Sequence, residues 1–179
     1  MFIASKKRKE NIAEYLLYMW QVEDIIRACN LDIEKIDKAV IAPQGLSSDE
    51  NKRLREWYES LIDMMKTEGV EKSGHLQINR NVVINLTDFH NSLLNDDKQA
   101  QYRAMFYAVL PYIVELRSKA GDNPSGEIET CFNLLYATLL LRLQKREISK
   151  STTDAVTQIS RFIATLAALF HEDENANNL

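Results

Sequence analysis

Five glycines and three prolines in 179 residues leave too few turn residues for a sheet protein. Antiparallel strands need a turn about every 8–12 residues, and turns draw on these two residue types. The chain is therefore expected to be all-α, a single-domain bundle of five to six long helices with one or two short ones. The domain is expected over residues 1–171, followed by a polar tail over 172–179.

Apolar spacing supports seven helical segments. The first runs from about Lys6 to Cys29, and its apolar stripe is Ile12, Leu16, Met19 and Ile26. A short second segment, "DIEKIDKAVIA", has Asp32 as its N-cap and is ended by Pro43–Gly45. The third opens at Ser47 or Ser48, either of which can cap it, and Ser47-x-x-Glu50 has the spacing of a capping box. Its stripe is Leu54, Trp57, Tyr58, Leu61, Met64 and Met65, and Gly69 stops it.

Asn and Gly weaken any helix near "VEKSGHLQINRN", and "RNVVIN" also reads as a short strand; a fourth helix from about Asn79 to Leu94 is favoured, with Val82, Val83, Leu86, Phe89 and Leu93 facing inward. The fifth runs from near Asp97 to Ala120 and holds Pro111, which removes a backbone hydrogen bond and should kink it. "GDNPSG" reads as a loop. The sixth helix is expected over Glu127 to Ile148. The seventh is expected from Ser151 or Thr152 to His171, with "EDENANNL" as a disordered tail.

The formal charge of −4 argues against a nucleic-acid protein, which needs a basic face. The one cationic run, Lys6–Lys9, reads first as a solvated terminus and second as a weak nucleic-acid contact. Cys29 and Cys131 have neither disulfide-framework nor zinc spacing, so both are expected reduced. "MFIA" precedes "SKKRK", the reverse of a signal peptide. The most apolar run, Leu134–Leu143, is too short to span a bilayer. These features point to a cytoplasmic protein away from the membrane.

No catalytic, cofactor or metal motif is present. Glu-x-x-His and His-Glu-x-x-His are both absent. His75, His90 and His171 lie in separate segments, and Gly74 breaks the Glu71–His75 spacing. Phosphate-binding glycine loops and the Gly-x-Ser-x-Gly elbow are missing too. Aromatic residues read as core, except that Trp20 and Tyr107 fall toward the sides of their stripes and suit a groove or a dimer contact.

Glu23 is the exception to the pattern. At about 100° per residue it falls within about 60° of Leu16 and Met19, and Ile12 lies almost beneath it. A carboxylate there must be paired or hydrogen-bonded. Arg27, one turn on, stands in the favourable order for an ion pair. The candidate polar network is completed by Arg142 and Arg146 on the sixth helix and the hydroxyls of Tyr102 and Tyr112. It reads first as a device that sets helix register, second as a pocket for a small polar or anionic ligand, and last as a site of catalysis.

The string "KKRKENIAEYLLYMWQVEDIIRACNLDIEKI", Lys6 to Ile36, resembles a bacterial family of unknown function with members of about this length, found chiefly in gut anaerobes. The resemblance is most specific in "EYLLYMWQVEDIIR". It implies a cytoplasmic all-helical protein and brings no activity or site residues with it. The working expectation is a non-enzymatic protein that acts by protein–protein contact, as a homodimer or with another chain.

Overall fold

Asn11 decides where the first long helix begins. In the computed structural model, which describes residues 2–121 and 125–177, its side-chain oxygen accepts the Ala13 amide at 3.0 Å. That bond competes with helix continuation, as short polar side chains do. The single helix expected from Lys6 is therefore two: α1, Phe2–Glu10, and α2, Ile12–Ala28. The expected stripe on α2 is buried, with Ile12, Leu16, Met19 and Ile26 no more than 3% exposed.

The described residues contain no strand, and the all-α expectation holds. After α2 come α3, Ile33–Ile36, α4, Ser48–Thr67, and α5, Gln77–Asn95. Then follow α6, Ala100–Ser118, α7, Glu127–Leu143, and α8, Lys150–Asn177. The sixth expected helix thus ends five residues early. Lys145 takes a left-handed conformation (φ 54°), and the Arg146 amide returns to the Leu141 carbonyl at 2.9 Å. This closes the helix as a glycine would. At the other end of the chain, α8 continues through the stretch expected as tail as far as Asn177. Of the "GDNPSG" segment, residues 122–124 lie outside the described set.

The expected caps are in place. Asp32 accepts the Glu34 amide at 3.0 Å. Ser47 and Glu50 form a reciprocal capping box. Gly69, at φ 67°, ends α4, and the Val70 amide reaches the Met65 carbonyl at 3.0 Å.

Between α3 and Gly45 the chain makes a π-helical turn, Asp37–Ile41, and a 3-10 turn, Ala42–Gln44. The π turn has a packing cause. Ile36 and Ile41 are both fully buried, yet five residues of α-helix would set them about 140° apart. An i→i+5 turn stacks them on one face, and each such side chain gains about 1.5–3 kcal/mol by burial.

The helices group into two compact units. The first comprises the chain up to Glu10 and Glu14–Asn81. Its core includes Met19, Val22 and Ile26 of α2, Ile36, Ile41, and Leu54, Tyr58, Leu61, Ile62 and Met65 of α4. The second holds Asn11–Ala13 and the chain from Val82 onward. There α6, α7 and α8 pack on one another, burying Phe106, Ile113, Phe132, Ile159 and Phe162 among others.

Candidate functional site

Glu23 is 0% exposed, as its phase on α2 requires. The segment that meets it is the connection from α4 to α5. Once Gly69 has ended α4, residues 70–76 run beside α2, with Gly74 at φ 87° turning them into the start of α5.

The carboxylate takes that segment's donors. Its Oε1 accepts the Leu76 backbone N–H at 2.9 Å and the Asn79 side-chain amide at 2.7 Å. Its Oε2 lies 2.6 Å from Nδ1 of His75. A carboxylate facing an imidazole nitrogen accepts, so the proton of this contact belongs to Nδ1. Trp20, one turn back on α2, lies flat on the His75 ring, with centroids 4.2 Å apart and planes at 13°.

Arg27 serves the opposite polarity. Its guanidinium donates to the Val70 carbonyl at 3.2 Å, to the Gly74 carbonyl and to Asp24 at 2.9 Å. The direct Arg27–Glu23 contact is 4.0 Å, at the limit of an ion pair. The i, i+4 pair therefore divides its work: Glu23 holds the amides of the 70–79 segment and Arg27 holds its carbonyls. A second carboxylate, Glu68, accepts the Gln77 amide at 2.6 Å. Two acidic groups thus sit on the first turn of α5, where orphan N–H groups and the helix dipole favour negative charge.

The other candidate residues stand elsewhere. Tyr102 is buried in the second unit, its hydroxyl 2.6 Å from Nδ1 of His90. His90 is packed edge-on to Phe106 and Phe162, at 4.7 and 5.8 Å between centroids. Tyr112 lines a cavity of about 130 Å³ with Glu115, Lys119, Ser151 and Thr152. Arg142 and Arg146 are exposed. Of the network proposed from sequence, Glu23 and Arg27 come together. His75, Asn79 and the Leu76 amide fill the places given there to Arg142, Arg146 and the two tyrosines.

The basic run is engaged with its surroundings. Lys7 pairs with Glu14 at 2.6 Å, Lys6 with Glu10 at 3.9 Å, and Arg8 lies over the Tyr15 ring. Trp20, expected at a groove or contact surface, is instead 1% exposed, whereas Tyr107 is 62% exposed.

Sequence reading missed His75 and Asn79, although helical phase put Asn79 on a buried face. Asn79 stands three residues before Val82 and seven before Leu86, on the inward face of α5, and it is 0% exposed. His90 continues the same face and is 1% exposed.

Chemically the Glu23 site is a fastener. A carboxylate that orients an imidazole is half of a general-base device, but among the described residues no hydroxyl or thiol is hydrogen-bonded to His75. Nor do any of those residues form a group of three or more His, Cys, Asp or Glu able to hold a metal ion.

A family model described as a domain of unknown function, DUF4924, matches residues 1–177. The chain belongs to that family. The match takes in the Glu23 fastener and all eight helices. No curated protein and no solved structure matches the chain. Among the described residues no helix is long and apolar enough to cross a membrane.

Proposed function

We propose that the protein acts by protein–protein contact rather than catalysis, and that it pairs with a second copy of itself through the outer face of α6. One observation carries this reading. The inner face of α6 buries Tyr102, Phe106, Val109 and Ile113, while its outer face exposes Ala104, Tyr107, Ala108, Pro111 and Val114. A helix that is apolar on every side is normally covered on every side. Tyr107 and Val114 are 62% and 56% exposed.

The stripe is self-complementary. When two copies run antiparallel with the axis between Tyr107 and Ala108, each tyrosine faces the small Ala108 of the other copy, and Ala104 faces Pro111. Such a two-fold contact uses one patch twice. From Ala104 to Val114 the face is about 15 Å long, short for a standard interface of ~800 Å² a side, which fits a dimer that forms and parts with concentration.

A bacterial, cytoplasmic setting belongs to the same proposal. The resemblance over Lys6–Ile36 and the free thiols Cys29 and Cys131 support it. For the Glu23 network, the occupation of both carboxylate oxygens by the chain's own donors supports register-setting over ligand binding.

Sedimentation across a micromolar to millimolar series tests the proposal. The mass is expected to rise toward that of a dimer, and Val114→Asp or Tyr107→Asp should hold it at the monomer. A strict monomer throughout, or a dimer indifferent to both substitutions, would refute it.

A further inference from the structure

The first unit contains a cavity of about 200 Å³ that the reading above does not use. Its floor is Met19 and Leu61, 2% and 3% exposed. Tyr15 and Trp57, both half-buried, line it together with Ala4, Ser5 and the partly exposed Ile78. Trp57 is set edge-on against Tyr58, with centroids 5.0 Å apart and planes at 68°. Arg8 of α1 also lines the space, and its guanidinium carbon lies 5.5 Å from the centre of the Tyr15 ring.

The lining has two chemical halves. Two aromatic side chains and an aliphatic floor suit a flat apolar body, and cavities of about 150 Å³ already take up benzene. The cation at the edge has five N–H donors in a planar fork, so another contact does not exhaust it. That fork matches a carboxylate in particular. Stacking on Tyr15 keeps the guanidinium beside the rings.

We propose that this cavity binds a small aromatic carboxylate, its ring between Tyr15 and Trp57 and its acid group on Arg8. It shares no residue with the Glu23 fastener, whose oxygens are already taken up, or with the outer face of α6.

Trp57 is a built-in reporter. Tryptophan emission of the full chain, titrated with phenylacetate and with the neutral phenylacetamide, tests the proposal. Phenylacetate is expected to give a saturable change, with phenylacetamide about tenfold weaker, the scale of one charge-assisted contact. Arg8→Gln should erase that preference, and Trp57→Phe should remove the signal while calorimetry still records binding. Arg8→Lys, which keeps a cation at the cavity's edge, should restore a preference for the acid, which guards against a fold defect in the Arg8→Gln variant. No saturable response into the millimolar range overturns the proposal. So does equal binding of the two compounds, or a preference for the acid that survives Arg8→Gln.

Discussion

The carboxylate of Glu23 accepts the backbone N–H of Leu76, a residue 53 positions further along the chain, at 2.9 Å. One side chain of α2 thereby supplies the N-terminal cap of α5. A local cap stabilises only its own helix. This one also fixes where the 70–76 segment lies against α2.

Its removal should be costly. Glu23→Ala leaves the buried Leu76 and Asn79 amides and the Nδ1 of the partly exposed His75 without their acceptor. A loss of about 3–4 kcal/mol is expected in a urea melt, since buried donors stripped of a partner cost roughly 1–3 kcal/mol each and relaxation recovers part. Glu23→Gln keeps the shape and one good acceptor, and should lose about half as much. A loss below about 0.5 kcal/mol, the scale of an exposed ion pair, would rule the fastener out.

His90 makes stability depend on pH in a stated direction. Burial pushes its pKa down to about 4 from the ordinary 6.5. Between those values the unfolded chain binds the proton that the folded chain refuses, so this contribution is intact above about pH 6.5 and is lost as the pH falls toward 4. The difference between the native protein and His90→Leu should change by about 2–3 kcal/mol across that window. Parallel pH profiles of the two proteins would refute the assignment.

Ser47→Ala should cost about 1 kcal/mol by removing the cap of α4. It also has a titration signature. Hydrogen bonds from the Ser47 hydroxyl and backbone hold the Glu50 carboxyl below its usual range, with the hydroxyl at 2.6 Å. Carbon-detected NMR of Glu50 should show its midpoint moving up in the variant. An unmoved midpoint would mean the box does not form in solution.

The two thiols should differ sharply in reactivity. Cys131 is 0% exposed, and burial pushes its pKa up to about 12, so little reactive thiolate exists at neutral pH. Cys29 is only half-buried. A disulfide reagent should label Cys29 in the native protein and reach Cys131 only on unfolding. Equal rates for the two would contradict the packing of α7.

Legibility in the sequence followed how local the cause was. The capping box at Ser47, the stop at Gly69 and the buried stripe of α2 are set by residues within a turn or two, and all could be read. The break at Asn11 and the end of α7 were not seen. Asparagine is tolerated inside helices often enough to carry little signal, and Lys145 adopts the left-handed conformation without the glycine that usually announces it.

At the site, the burial of Glu23 followed from helical phase alone. Its partners did not, because His75 and Asn79 belong to a segment that only the folded chain brings to α2. Arg142 and Arg146 were the more conspicuous charges, and charge alone does not say which groups will meet.

The π-helical turn at Asp37–Ile41 bears on how relatives of this chain may differ in length. It accommodates one residue more than an α-helical turn over the same path, and Ile36 and Ile41 mark its ends inside the core. Deleting a single exposed residue between them would convert it to ordinary helix while keeping both isoleucines on one face. This is where the first unit can lose a residue at least cost, and where single-residue gaps between members of the family should collect.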